Sequence, residues 1–99
     1  MRVVFARKAT SDIIEIGEYI ALDSLERAAS FVEKLYAQAE GIATMPNAFP
    51  LAPGQERHGF RRRAYGRYLI FYTVTNGTIR ILRILHGARD YGRLFETED

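Results

Sequence analysis

The chain has 99 residues, 47% of them hydrophobic and 26% charged, with 14 basic and 12 acidic side chains and no cysteine. That length holds one domain and a single core. The missing cysteines exclude disulfides, thiol nucleophiles and cysteine-based zinc or iron–sulfur sites, and no apolar run reaches the ~20 residues of a bilayer span. His58 and His86 lie far apart and show no metal-ligand spacing, so neither metal nor cofactor is expected. Charge breaks the opening Met1-Arg2-Val3-Val4-Phe5-Ala6-Arg7-Lys8 too early for a signal peptide. The expected location is therefore the cytoplasm.

In chain order, Val3 to Phe5 reads as a short strand. Asp12, with Glu15 three residues later, has the spacing of a capping box and predicts a helix ending near Leu22. Ile13, Ile16, Gly17 and Ile20 form its apolar face, widened by Ile14 and Ala21. Asp23 and Glu26 repeat the signature before a second helix, about Leu25 to Thr44, with a ladder of Ala28, Phe31, Val32, Leu35, Ala39 and Ile42. The short link makes the two helices antiparallel neighbours.

Pro46, Pro50 and Pro53 then stiffen a loop closing at Gly54. Gly59 to Ala64 reads as a strand and Tyr65-Gly66-Arg67 as a turn. Tyr68–Val74 and Ile79–Leu85 flank Thr75-Asn76-Gly77-Thr78, whose Asn-Gly pair predicts a two-residue hairpin turn. That turn pairs Val74 with Ile79, Tyr72 with Ile81 and Ile70 with Arg83. Both hairpin faces are largely apolar. The helices can cover only one, leaving the other to the Pro-rich loop, the C-terminal tail or a partner. The fold class is α+β: an N-terminal strand, a two-helix hairpin and a three-stranded antiparallel meander, in one domain over residues 1–99.

Charge is partitioned along the chain. Residues 1–50 carry five basic and seven acidic side chains, residues 51–99 nine and five, and all nine bases of the second half are arginines. Arginine suits the fixed-geometry binding of carboxylate or phosphate, so this half is expected to dock a macromolecule, through Arg61, Arg63, Arg83, His86 and Arg89. Arg61 and Arg63 share a strand face that Arg62 opposes. Arg83, inside an apolar stripe, is equally suited to pairing with a helix carboxylate such as Glu15 or Glu18. Tyr19, Tyr36, Tyr68 and Tyr72 are expected at the edge of the core.

The element order and several local sequences resemble the RelE/ParE superfamily of bacterial toxins. The similar segments are Ala9-Thr10-Ser11-Asp12-Ile13 through Tyr19-Ile20-Ala21, Ala28-Ala29-Ser30-Phe31-Val32, Met45-Pro46, Gly59-Phe60-Arg61-Arg62 and Tyr68-Leu69-Ile70-Phe71-Tyr72. The most telling is Ile81-Leu82-Arg83-Ile84-Leu85-His86-Gly87-Ala88-Arg89-Asp90, which is similar to ParE-like members. The resemblance implies a type II toxin neutralised by a cognate antitoxin. RelE-like members are ribosome-dependent mRNA endonucleases, whereas ParE-like members poison DNA gyrase. Leu69 falls where RelE-like toxins carry an arginine, although Arg67 is close by, and Phe95 falls where they carry a tyrosine. The resemblance therefore implies a ParE-like gyrase inhibitor without catalytic residues. The alternatives are an endonuclease using His86 with Arg89 and Tyr91, and a non-toxic relative that only binds an antitoxin.

Overall fold

A computed structural model describes residues 1–87. Its elements are β1 (Arg2–Phe5), α1 (Arg7–Ala21), α2 (Leu25–Gly41), β2 (Arg61–Tyr65), β3 (Tyr68–Thr75) and β4 (Thr78–His86), with short 3-10 turns at Ile42–Thr44 and Glu56–His58. The strands form one sheet in the order β1-β4-β3-β2. β2, β3 and β4 are the expected antiparallel meander, while β1 runs parallel to β4, so the sheet is mixed. The helices cover one face over a core of Ile13, Ile16, Leu35, Ala39, Ile42, Ile70, Tyr72, Ile79, Ile81 and Ile84. They approach closely at Gly17, where an added Cβ would lie 3.1 Å from Val32 Cγ2.

The first helix begins earlier than its capping signature implies. Ala6 donates its N–H to Ile81 O, the last rung between β1 and β4, and the chain coils at once from Arg7 with no side-chain cap. Asp12 is thereby carried inside the helix, on its buried face. At the second helix the cap is Ser24, whose hydroxyl accepts from Arg27 N–H at 3.1 Å. Asp23 instead binds the Arg27 guanidinium at 2.7 Å.

The hairpin turn forms as its residues require, with positive φ at Asn76 (47°) and Gly77 (75°). Val74 pairs with Ile79 and Tyr72 with Ile81, but a bulge follows, so Arg83 opposes Phe71 and Ile70 opposes Ile84. The expected Ile70–Arg83 pairing is therefore wrong. Leu82 is the extra residue, and a single insertion reverses the alternation of everything beyond it. Ile84 joins the helix-side core and Leu85 moves to the opposite face with Phe71 and Ala52.

That second cluster shows what closes the far face of the sheet within the described residues. The Pro-rich loop wraps the edge of β2: Leu51 bridges to Arg61, Arg62 N–H donates to Pro50 O and Ala52 N–H to Phe60 O. Phe49 remains on the helix side, while Ala52 and Phe60 pack beneath Phe71 and Leu85.

β4 outruns its short neighbour, since β1 pairs with it only as far as Phe5 and Ile81. Asp12 takes over where that strand ends. Its Oδ2 accepts from Ile84 N–H at 2.9 Å and Arg83 Nε at 2.8 Å, and its Oδ1 from Arg83 Nη2 at 3.0 Å. The Arg83 partner is thus Asp12, whereas Glu15 and Glu18 are exposed. Removing one member of such a buried pair costs about 3–5 kcal/mol. Asp12→Leu is expected to lower unfolding stability by that order. Asp12→Asn, which keeps an acceptor for Ile84, should lose clearly less, and urea titrations of both variants check the ranking.

Candidate functional site

Arg61 and Arg63 alternate inward along β2 and pair with Tyr72 and Ile70 of β3. Arg61 Nη1 donates to Phe49 O at 2.6 Å. Arg63 Nη1 donates to Gln38 O at 3.0 Å, and its guanidinium lies 4.8 Å from the centre of the Phe49 ring. Between them Tyr72, fully buried, donates its hydroxyl to Pro46 O at 2.8 Å. These residues clamp the Pro-rich loop to the end of α2. Burial pushes the Tyr72 phenol above its ordinary value of 10.0, against the opposing pull of Arg61 and Arg63.

Arg83 is committed to Asp12, as described. His86 ends β4 exposed, across from Tyr68, with the rings edge-on at 5.5 Å. Arg89 lies outside the described residues. The four of these residues that are described, Arg61, Arg63, Arg83 and His86, fall at separate places in the fold. Arg61 and Arg63 serve one latch, Arg83 serves another, and His86 stands at the end of the sheet.

The open surface lies elsewhere, on the helical hairpin. A groove of about 410 Å³ runs between the helices, walled by Ile14, Gly17, Ala21, Ala28, Ala29, Val32 and Tyr36, with Glu18 as its charged lining residue. Its small residues let another backbone approach closely. At the turn between the helices Tyr19, Leu22 and Leu25 are 72%, 86% and 78% exposed. Tyr19 thus stands in solvent and not at the edge of the core. Sequence reasoning passed over Leu22 and Leu25. Leu25 is in phase with Ala28 and Val32 of the α2 ladder, so periodicity gave no sign that this first-turn leucine stands in solvent. Among the described residues no helix is long and apolar enough to cross a membrane.

A two-helix hairpin over a meander, with the first strand parallel beside the last, is the arrangement of the RelE/ParE toxin superfamily, to which the chain belongs. More narrowly, a family model described as the ParE toxin of the type II toxin–antitoxin system parDE matches residues 3–91, and the chain belongs to that family. A solved chain from the chromosomal ParDE system of P. aeruginosa is similar over 87% of this chain and 95% of that one, at 25% identity and a TM-score of 0.72. No curated protein matches. The protein is a ParE-type toxin with an antitoxin as partner.

The latch makes a prediction of its own. Tyr72→Phe removes the bond to Pro46 and should cost about 1 kcal/mol at neutral pH. Because the folded pKa is raised, the stabilising contribution of Tyr72 is complete below pH 10.0 and is lost as pH rises through the folded value. The alkaline decline in stability should therefore be shallower in Tyr72→Phe, as read by chemical denaturation at stepped pH.

Proposed function

We propose that this toxin arrests growth in the cytoplasm by binding DNA gyrase, without chemistry of its own, and that the antitoxin holds it inactive by laying an amphipathic helix in the groove between α1 and α2. Family membership supplies the prior. The observation that carries the reading is where the cationic and phenolic groups of the central strands point.

Metal-free RNA cleavage needs a base for the 2′-hydroxyl, an acid for the leaving oxygen and cations for the phosphate. Arg61 and Arg63 each donate one guanidinium N–H to a backbone carbonyl, Phe49 O and Gln38 O, and Arg83 binds Asp12 through two. Tyr72 is buried, bonded to Pro46 O, and held protonated well beyond neutral pH. Groups so engaged maintain the scaffold and are poorly placed to hold a substrate. His86 and Arg89 then act as contacts for a partner, not as acid and base.

For the antitoxin the argument is one of shape. A groove between two helices receives an amphipathic helix along its length, with apolar anchors at i, i+3, i+4 and i+7. The alanines and Gly17 set its floor low.

Purified toxin added to gyrase, ATP and plasmid should accumulate cleaved DNA, and antitoxin should abolish the effect. His86→Gln should remain toxic, while Arg89→Ala should weaken toxicity without unfolding. Codon-phased mRNA ends without DNA damage, together with an inactive but folded His86→Gln, would assign the chain to the endonucleases instead.

A further inference from the structure

The turn between the helices carries an apolar surface that the fold does not use. Tyr19, Leu22 and Leu25 are each more than seven-tenths exposed, although single exposed leucines on a helix need no explanation. Three large exposed apolar residues between positions 19 and 25 are a different matter. Tyr19, Ile20 and Leu22 also wall a shallow recess with Asp23 and Arg27.

This corner is held firmly. Leu22 N–H donates to Tyr19 O at 3.3 Å, and Asp23 and Ser24 N–H both donate to Ile20 O at 3.0 Å. Ser24 caps the next helix, and the Asp23–Arg27 pair spans its first turn. The backbone of so short and bonded a corner loses little freedom on binding, which lowers the ordering cost of an interface there.

Charge identifies the occupant. Residues 11–41 contain seven acids against two bases. Asp12 is internal and Asp23 is matched by Arg27, which leaves Glu15, Glu18, Glu26, Glu33 and Glu40 exposed, with Lys34 as the one exposed base not in a described pair. Glu18 lies one turn before the corner and Glu26 one residue beyond Leu25. An apolar projection with an acidic collar suits a protein whose surface is positive, and DNA-handling enzymes are positive along the path of the nucleic acid. The same collar repels DNA itself. A helix-shaped partner is better served by the groove, which leaves the corner for a folded one.

We propose that the α1–α2 corner is the surface with which the toxin grips the DNA-handling enzyme it poisons, seating Tyr19, Leu22 and Leu25 in an apolar pocket ringed by lysine or arginine. This rests on the gyrase reading above and adds the contact surface to it.

The test compares wild-type toxin with Leu22→Ser/Leu25→Ser and with Glu26→Lys, each measured for cleaved-DNA accumulation with purified gyrase and for affinity to the cognate antitoxin. All three positions are exposed, so unchanged circular dichroism is expected. The leucine variant should need about tenfold more protein or greater for equal DNA cleavage, with antitoxin affinity within about twofold of wild type. The charge variant should be weaker at low salt and should converge with wild type as salt rises. Full gyrase poisoning by the folded leucine variant overturns the proposal. So does loss of antitoxin binding with poisoning retained, which would assign the corner to the antitoxin. A wild-type toxin inert towards gyrase fails the underlying reading itself, and this proposal with it.

Discussion

The fold depends on one carboxylate. β1 is only four residues long, so the outer edge of β4 loses its strand partner after Ile81, well before β4 ends at His86. An unpaired N–H under a helix would cost free energy comparable to a lost hydrogen bond. Asp12 removes that cost by accepting from Ile84 N–H, and the charge this buries is balanced by Arg83. Two elements are fixed together: Asp12 ties α1 to β4 just beyond the bulge, and Arg83 gains an internal partner. Satisfying the carboxylate on both oxygens is what makes a buried ion tolerable there.

The arginines of β2 follow a similar logic at the opposite edge of the sheet. An edge strand exposes backbone groups that invite another strand. Here the Pro-rich loop folds over β2, and Arg61 and Arg63 hold it by donating to carbonyls of Phe49 and Gln38. Arginine suits this role because its planar fork can bind a carbonyl and stack on a ring at once, as Arg63 does over Phe49. A basic count read from composition cannot distinguish such internal use from a docking surface.

Much of the architecture was legible. The Asn76-Gly77 pair fixed the hairpin, the prolines stopped the second helix, and the periodicity of Ile13, Ile16 and Ile20 found the face of α1. What escaped depended on pairs remote in sequence. Asp12 reads locally as a cap, and only contact with a residue 71 positions away shows it to be a core acceptor. The bulge at Leu82 has no local signature, because Ile81-Leu82-Arg83-Ile84-Leu85 is apolar on either phase. The parallel placement of β1 likewise follows from tertiary packing. For the candidate site, residue types such as arginine drew attention to the scaffold, whereas the exposed leucines at the corner are visible only once burial is known.

On the function proposed above, the two apolar surfaces of the helical hairpin give one small domain separate places for its two partners. A domain of this size has little core to spare, so apolar residues left outside carry a cost in solubility that function must offset. The groove is concave, floored by Gly17 and alanines, and linear. The corner is projecting, bulky and collared by glutamates. Occupancy of one does not by shape alone require occupancy of the other, yet both are built on the same two helices. A helix seated between α1 and α2 lies alongside Ile14 and Ala21, and Ala21 is less than one turn from Tyr19 and Leu22. Neutralisation can therefore operate by steric overlap at the corner's margin, with no change in the toxin's own conformation. The rigid coupling of α1 to the sheet through Asp12 favours that route, since a helix locked at its centre has little freedom to transmit a displacement.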